Sequence, residues 1–258
     1  MENILQRTLP MFTALLLCSL SQAAEVHVAV ASNFSAPMKA IAAQFETDTG
    51  HKVMISSGAT GKFYAQIRNG APFELLLAAD DEVPARLEAE GLGIAGSRFT
   101  YSIGKLVLWS ARPGLVDSQG EVLKKAAFDK LSIANPRLAP YGAAAVEVMK
   151  SLNVYAAVEP KLVMGENIAQ TYQFVHAGNA ALGMVAMSQV YEDGKLRSGS
   201  AWIIPSQLYR PIRQDAVLLQ KGANNPAARE LIRFLKAEKA RDVMRRHGYE
   251  VQDGSSIR

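Results

Sequence analysis

Residues 26–80 read VHVAVASNFSAPMKAIAAQFETDTGHKVMISSGATGKFYAQIRNGAPFELLLAAD, and the architecture is already visible in their pattern. Short β-branched runs alternate with amphipathic stretches, the rhythm of an α/β protein. The spacing predicts a strand over 26–31, then a helix over 35–47 that buries Met38, Ile41, Ala42 and Phe45 and is closed by Gly50. A second strand is expected over 52–56, SSGATG as a turn, and a helix over 62–69 with Phe63 and Ile67 on one face. FELLLAAD is nearly continuous in apolar residues, as in parallel strands covered on both faces. Asp80 and Asp81 then start a helix that ends near Glu90.

Further along, the pattern repeats. IGKLVLWS (103–110) predicts one strong strand, and Arg112-Pro113-Gly114 breaks it, where a crossing into a second lobe is expected. The second lobe is read as a strand at 131–134, the loop NPRLAPYG, a helix at 143–152, a strand at 161–164, a helix at 167–178 and a strand at 181–187. QDAVLLQ (214–220) returns to the first lobe. The last helix takes Asn225 as its cap and Pro226 as its first residue, buries Leu231, Phe234, Leu235 and Val243, and ends at Gly248. The expected architecture is therefore two α/β lobes with a ligand cleft between them. Residues 24–110 and 214–258 form a discontinuous first lobe and 111–213 the second.

Composition bounds the rest. The 258 residues include 28 Lys plus Arg, 24 Asp plus Glu and 49% hydrophobic residues, which excludes a disordered chain. The formal charge of +4 is scattered, without the basic run that tracks a nucleic-acid backbone. At the N-terminus, Arg7 precedes an apolar run over about 11–20 and a small-residue site, so residues 1–23 read as a secretory signal peptide. Cleavage is expected after Ala23, with the bond after Ala24 as the alternative. Lipidation at Cys18 is disfavoured by the bulk of Leu17. Removing the segment takes away Glu2, Arg7 and Cys18, which leaves the charge at +4 and no cysteine. A soluble periplasmic protein held by its core alone is implied.

Enzyme signatures are missing. There is no H-E-x-x-H, no G-x-S-x-G and no G-x-G-x-x-G, and GATGKF lacks the first glycine and the terminal Ser/Thr of a phosphate loop. His27, His51, His176 and His247 lack metal-ligand spacing. What remains is a set of polar turns between strand and helix: Ala31-Ser32-Asn33, Ala59-Thr60-Gly61, Pro140-Tyr141-Gly142 and Glu166-Asn167-Ile168. Each alone reads as a helix cap. Together, at the carboxyl ends of strands, they are natural anion sites, because helix N-termini present unpaired N–H groups and a positive dipole end.

These turns carry a resemblance. AVASNF, SSGATGKFYAQIRNGAPFELLLAAD, SRFTYSIGKLVLWS, NPRLAPYG, GENIAQ, AALGMVA and PIRQDAVLL resemble, in order, the landmarks of periplasmic molybdate-binding proteins that serve molybdate ABC transporters. The resemblance implies a type II periplasmic binding-protein fold and one molybdate or tungstate oxyanion held by hydroxyl and backbone N–H donors, with no cofactor and no catalysis. It also implies a monomer whose partners are the permease and ATPase subunits of the transporter.

Carried over by residue, the resemblance places Ser32 and Asn33 as neighbouring donors, Thr60 where the family has serine, and Ile168 as a donor through its backbone N–H. Some members bind with a tyrosine two residues beyond LG-[IM]-V, where this chain has Ala186 and Met187. The missing hydroxyl is then expected from Tyr141. Lys62 is expected in solvent rather than on the anion. A fully deprotonated dianion needs only donors, whereas protonated phosphate would use an acceptor such as Asp80 or Asp81, whose positions suit capping. Sulfate also needs only donors, so its exclusion rests on the resemblance. Two further readings remain: Fe(III) capture by Tyr141, Tyr172 and Tyr191, and a secreted hydrolase or transferase acting on a phosphorylated or sulfated substrate.

Overall fold

The computed structural model describes residues 23–251, so the expected signal segment and Cys18 lie outside the described residues, apart from Ala23. The chain begins with β1 (Glu25–Ala31), α1 (Ser35–Thr49), β2 (Lys52–Gly58), α2 (Thr60–Arg68), β3 (Leu75–Leu77), α3 (Glu82–Ala89) and β4 (Phe99–Gly104). It continues through β5 (Leu106–Ser110), α4 (Glu121–Lys124), β6 (Leu131–Ala134), α5 (Pro140–Ser151), α6 (Tyr155–Val158), β7 (Leu162–Gly165), α7 (Ile168–His176), β8 (Leu182–Ala186) and α8 (Met187–Val190). A small hairpin of β9 (Tyr191–Glu192) and β10 (Lys195–Leu196) precedes β11 (Ser200–Ile203). The chain then enters β12 (Ile212–Leu218), α9 (Pro226–Leu235) and α10 (Glu238–Arg246).

Two five-stranded sheets form, in the orders β2-β1-β3-β12-β4 and β11-β5-β8-β6-β7. β1 runs parallel to β2 and β3, and β6 runs parallel to β7 and β8. The strands next to the crossings between sheets are the antiparallel ones: β12 against β3 and β4, and β5 against β8 and β11. Alternation sorts each strand's residues onto two faces. Val26, Val28 and Val30 pack with α1, α9 and α10, while Ala29 and Leu76 meet Phe63, Ile67 and Leu87 of α2 and α3. In the second sheet Leu106 and Leu108 join the core under α5, and Val107 and Trp109 face α7 and α8. This two-sided burial is why the parallel strands read as unbroken apolar runs.

The expected strand over 103–110 is two strands in two different sheets, interrupted at Lys105. The chain therefore changes sheet at Lys105, ahead of the boundary expected after Ser110. The backbone is closely packed at the break. A Cβ at Gly104 would overlap Tyr141 Oη and Gln214 Nε2, so the backbone there takes the place of a side chain. The next carbonyl, Lys105 O, then accepts from Met187 N–H at 2.9 Å in the second sheet's margin. Other boundaries move less. β2 runs on to Gly58, which shortens the SSGATG turn, and α5 starts at Pro140, inside the expected loop. The last expected helix is interrupted between Leu235 and Glu238 into α9 and α10.

Candidate functional site

Four strand-to-helix turns meet between the sheets around a very small cavity of about 10 Å³. Ordinary organic-ligand pockets run to ~300–1,000 Å³, so this space leaves no room for an organic ligand. Its wall takes Ala31, Ser32 and Asn33 from the first turn, Gly58, Ala59 and Thr60 from the second, Ala139, Pro140 and Tyr141 from the third, and Asn167 and Ile168 from the fourth; Ala79 completes it. No Asp, Glu, Lys, Arg or His lines the wall.

Each turn leaves donors facing a helix start, because the first N–H groups of a helix have no intrahelical partner. After β1, residues Ser32–Phe34 make a single 3-10 turn that leads directly into α1. Thr60 opens α2, and its Oγ1 accepts from Ala79 N–H at 3.0 Å, which leaves its own proton for donation. Pro140 occupies the first position of α5 and has no N–H, so Tyr141 N–H is the first donor there. At α7, Asn167 Oδ1 accepts from Ala169 N–H and Gln170 N–H, both at 3.0 Å, and leaves Ile168 N–H unclaimed. Gly142 follows Tyr141 because a Cβ there would overlap Ala134 O at the end of β6. Helix and strand can then approach closely enough to aim the α5 terminus into the cavity.

All five expected site residues, Ser32, Asn33, Thr60, Tyr141 and Ile168, thus border one cavity, but two are used differently from expectation. The Tyr141 hydroxyl, expected to supply the bond of the missing tyrosine, is engaged with Gln214. It lies against Gly104 and accepts from Gln214 Nε2 at 3.0 Å, and neither of these residues lines the cavity. Burial pushes the phenol well above its usual range, so it stays protonated. The backbone N–H of Tyr141 stands free at the start of α5. The Asn33 side chain is also committed elsewhere, donating to Gln214 Oε1 at 2.8 Å and Tyr249 Oη at 3.0 Å.

Lys62 is exposed, as expected. It pairs with Glu166, which precedes Asn167 in the opposite lobe. Beside it, Gly61 N–H donates to Leu138 O at 2.9 Å. On another side, Ser188 Oγ donates to Asn33 O at 2.8 Å. These contacts close the cavity by joining the two lobes. A larger cleft next to it holds Asp80, Asp81, Glu147, Arg137, Arg210 and Arg213, charges of both signs. Asp80 Oδ1 accepts from Val83 N–H at 2.8 Å as a cap, and burial raises its carboxyl to about 6.

Sequence reasoning missed Tyr101, Ser188, Gln214 and Tyr249, which surround Asn33 from behind. The available signal was weak: Gln214 stands between Arg213 and Asp215 in β12, so nothing local marks it as buried. The three tyrosines weighed for Fe(III) do not converge. Tyr141 lies in the core under α5, whereas Tyr172 stacks on Trp109 at 5.1 Å and sits with Tyr191 on the sheet's other face. Among the described residues, no group of three His, Cys, Asp or Glu is placed to hold a metal, and no helix is long and apolar enough to cross a membrane.

Residues 26–250 match the family model of bacterial extracellular solute-binding proteins. The molybdate-binding protein ModA of Azotobacter vinelandii is 62% identical over 98% of this chain and 100% of its own length. ModA of Rhodobacter capsulatus is 51% identical over 88% of each chain. A solved periplasmic molybdate-binding protein of Azotobacter vinelandii superposes with a TM-score of 0.85 at 39% identity, over 88% of this chain and 100% of that one. The chain belongs, with these relatives, to the family of bacterial extracellular solute-binding proteins.

Proposed function

We propose that this protein binds molybdate or tungstate in the interlobe cavity and delivers it to the permease and ATPase of an ABC transporter, as a monomer and without turnover. The observation that carries the reading is the wall itself: convergent helix N-termini and hydroxyls with no charged side chain. Such a site suits an ion whose every oxygen accepts, and discriminates against one that must donate a proton. The donors assigned are Ser32 Oγ, the backbone N–H groups of Ser32, Asn33, Tyr141 and Ile168, and Thr60 N–H and Oγ1. The molybdate-binding relatives named above favour molybdate over sulfate, which shares its donor-only requirement. Residues 1–23 act as the export signal, cleaved after Ala23 or Ala24, and the mature chain works in the periplasm.

Calorimetry tests the reading. One saturable site is expected for molybdate and for tungstate, with sulfate and phosphate much weaker. Heat with sulfate or phosphate alone would refute the assignment of the ligand and leave the fold untouched.

A further inference from the structure

Behind the cavity wall lies Gln214, fully buried in β12. Its Oε1 accepts from Asn33 Nδ2 at 2.8 Å and from Tyr101 Oη at 2.9 Å, and its Nε2 donates to Tyr141 Oη at 3.0 Å. Asn33 belongs to the turn after β1, and Tyr141 to the first turn of α5. One side-chain amide therefore ties a cavity turn of the first sheet to a cavity turn of the second. The backbone makes room for it: Gly104 lies where any side chain would displace both Gln214 Nε2 and Tyr141 Oη. A register shift between Gln214 and Asp215, the mark of a β-bulge, sits at this point of the strand.

The chemistry calls for an amide. The position must accept from two donors on one side and donate to a phenol oxygen on the other, which a neutral amide does with its separate oxygen and nitrogen. A carboxylate would place negative charge behind an anion site, and a hydroxyl could not span both partners.

Resting on the oxyanion reading above, we propose that Gln214 is a positioning residue: it sets the spacing between the Asn33 and Tyr141 backbone donors without touching the ligand. Outer partners that orient ligating groups typically affect affinity by about 10–100-fold. Gln214→Leu is therefore expected to weaken tungstate binding by about that factor in calorimetry. Tyr209→Phe is the control, since Tyr209 Oη accepts from buried Leu106 N–H at 3.1 Å outside this cluster. It should lower the melting temperature and leave affinity unchanged.

Amide spectra separate positioning from general loosening. On adding tungstate to Gln214→Leu, the amide shifts of Asn33 and Tyr141 should shrink, while those of Thr60 and Ile168, which Gln214 does not touch, persist. If the leucine variant does not fold, Tyr141→Phe decides, with a loss of about 3–10-fold expected for one neutral hydrogen bond. Unchanged affinity in a folded Gln214→Leu, or in Tyr141→Phe, overturns the proposal. So does equal loss of response at all four turns. A wild-type protein that binds neither molybdate nor tungstate would instead overturn the oxyanion reading itself.

Discussion

The hydroxyl of Thr60 accepts from Ala79 N–H, so its proton is directed by a fixed partner before any ligand arrives. Hydrogen bonds to charged groups contribute about 1.5–3 kcal/mol, which converts to ~10–100-fold in affinity. Thr60→Val should therefore weaken molybdate by that factor in calorimetry. It also leaves Ala79 N–H buried and unpaired, at an expected stability cost of about 1–3 kcal/mol by urea unfolding. Thr60→Ser keeps both functions of the oxygen and should bind within a few-fold of wild type. Asp80 shows the opposite side of burial, a charge held where it is disfavoured. Its carboxyl is raised from 3.8 to about 6, first by desolvation and then by the carboxylates of Glu82, Asp81 and Asp215, against the Val83 N–H that lowers it. The folded chain thus holds a proton that the unfolded chain has released between those two values. Stability falls as pH rises through that window and levels off above it. At ~1.4 kcal/mol per unit the penalty near neutrality is about 3 kcal/mol. Asp80→Asn keeps an acceptor for Val83 N–H and carries no charge. Its melting-temperature advantage should be absent near pH 4 and grow to a plateau above about pH 6; an advantage independent of pH would contradict the desolvation argument.

At the scale of elements, the turns that open α2 and α7 both border the cavity and carry a charge at its rim. Lys62 of α2 pairs with Glu166, the residue before the cap of α7, beside the Gly61 N–H to Leu138 O bond. Both side chains are roughly half exposed, so the pair contributes at most about 1 kcal/mol and is screened by salt. Its location gives that small energy a kinetic meaning. Lys62→Glu places like charges across the rim and should speed tungstate release several-fold in stopped flow at low salt, converging on wild type at high salt. Adding Glu166→Lys reverses the pair and should restore the slow rate, whereas a swapped variant as fast as the single one would show that the pair does not hold the lobes. The same elements show what a sequence displays. The four cavity turns were legible because strand period, cap residue and helix period follow one another within a few residues, as at Asn167 and Pro140. The split of 103–110 was not legible, since an apolar run looks alike whether it stays in one sheet or leaves it at Lys105. Nor were the committed side chains of Asn33 and Tyr141, because their partners lie 181, 216 and 73 positions away and no local period reports them.

For the molecule as a whole, the cavity belongs to neither lobe. Ser32 and Thr60 come from the first sheet's turns, Tyr141 and Ile168 from the second's, and Ser188 and Gln214 bind across the division. An ion held by both halves must be released when either half unfolds, so binding free energy is added to the cooperative unit rather than to one lobe. Both tryptophans, Trp109 in β5 and Trp202 in β11, lie in the second sheet, which gives fluorescence a view of that lobe alone, while far-UV circular dichroism reports both. At a molybdate concentration 100 times Kd, the folded state gains about 2.7 kcal/mol. For a chain of this size that is a rise of roughly 5–11 °C in melting temperature. The two probes are expected to rise together by that amount, because the ligand spans what each one sees. A shift in fluorescence that leaves part of the dichroism transition behind would place the ligand on the second lobe only. That outcome would remove Ser32 and Thr60 from the site, and with them the argument that closure of the lobes is what retains the ion.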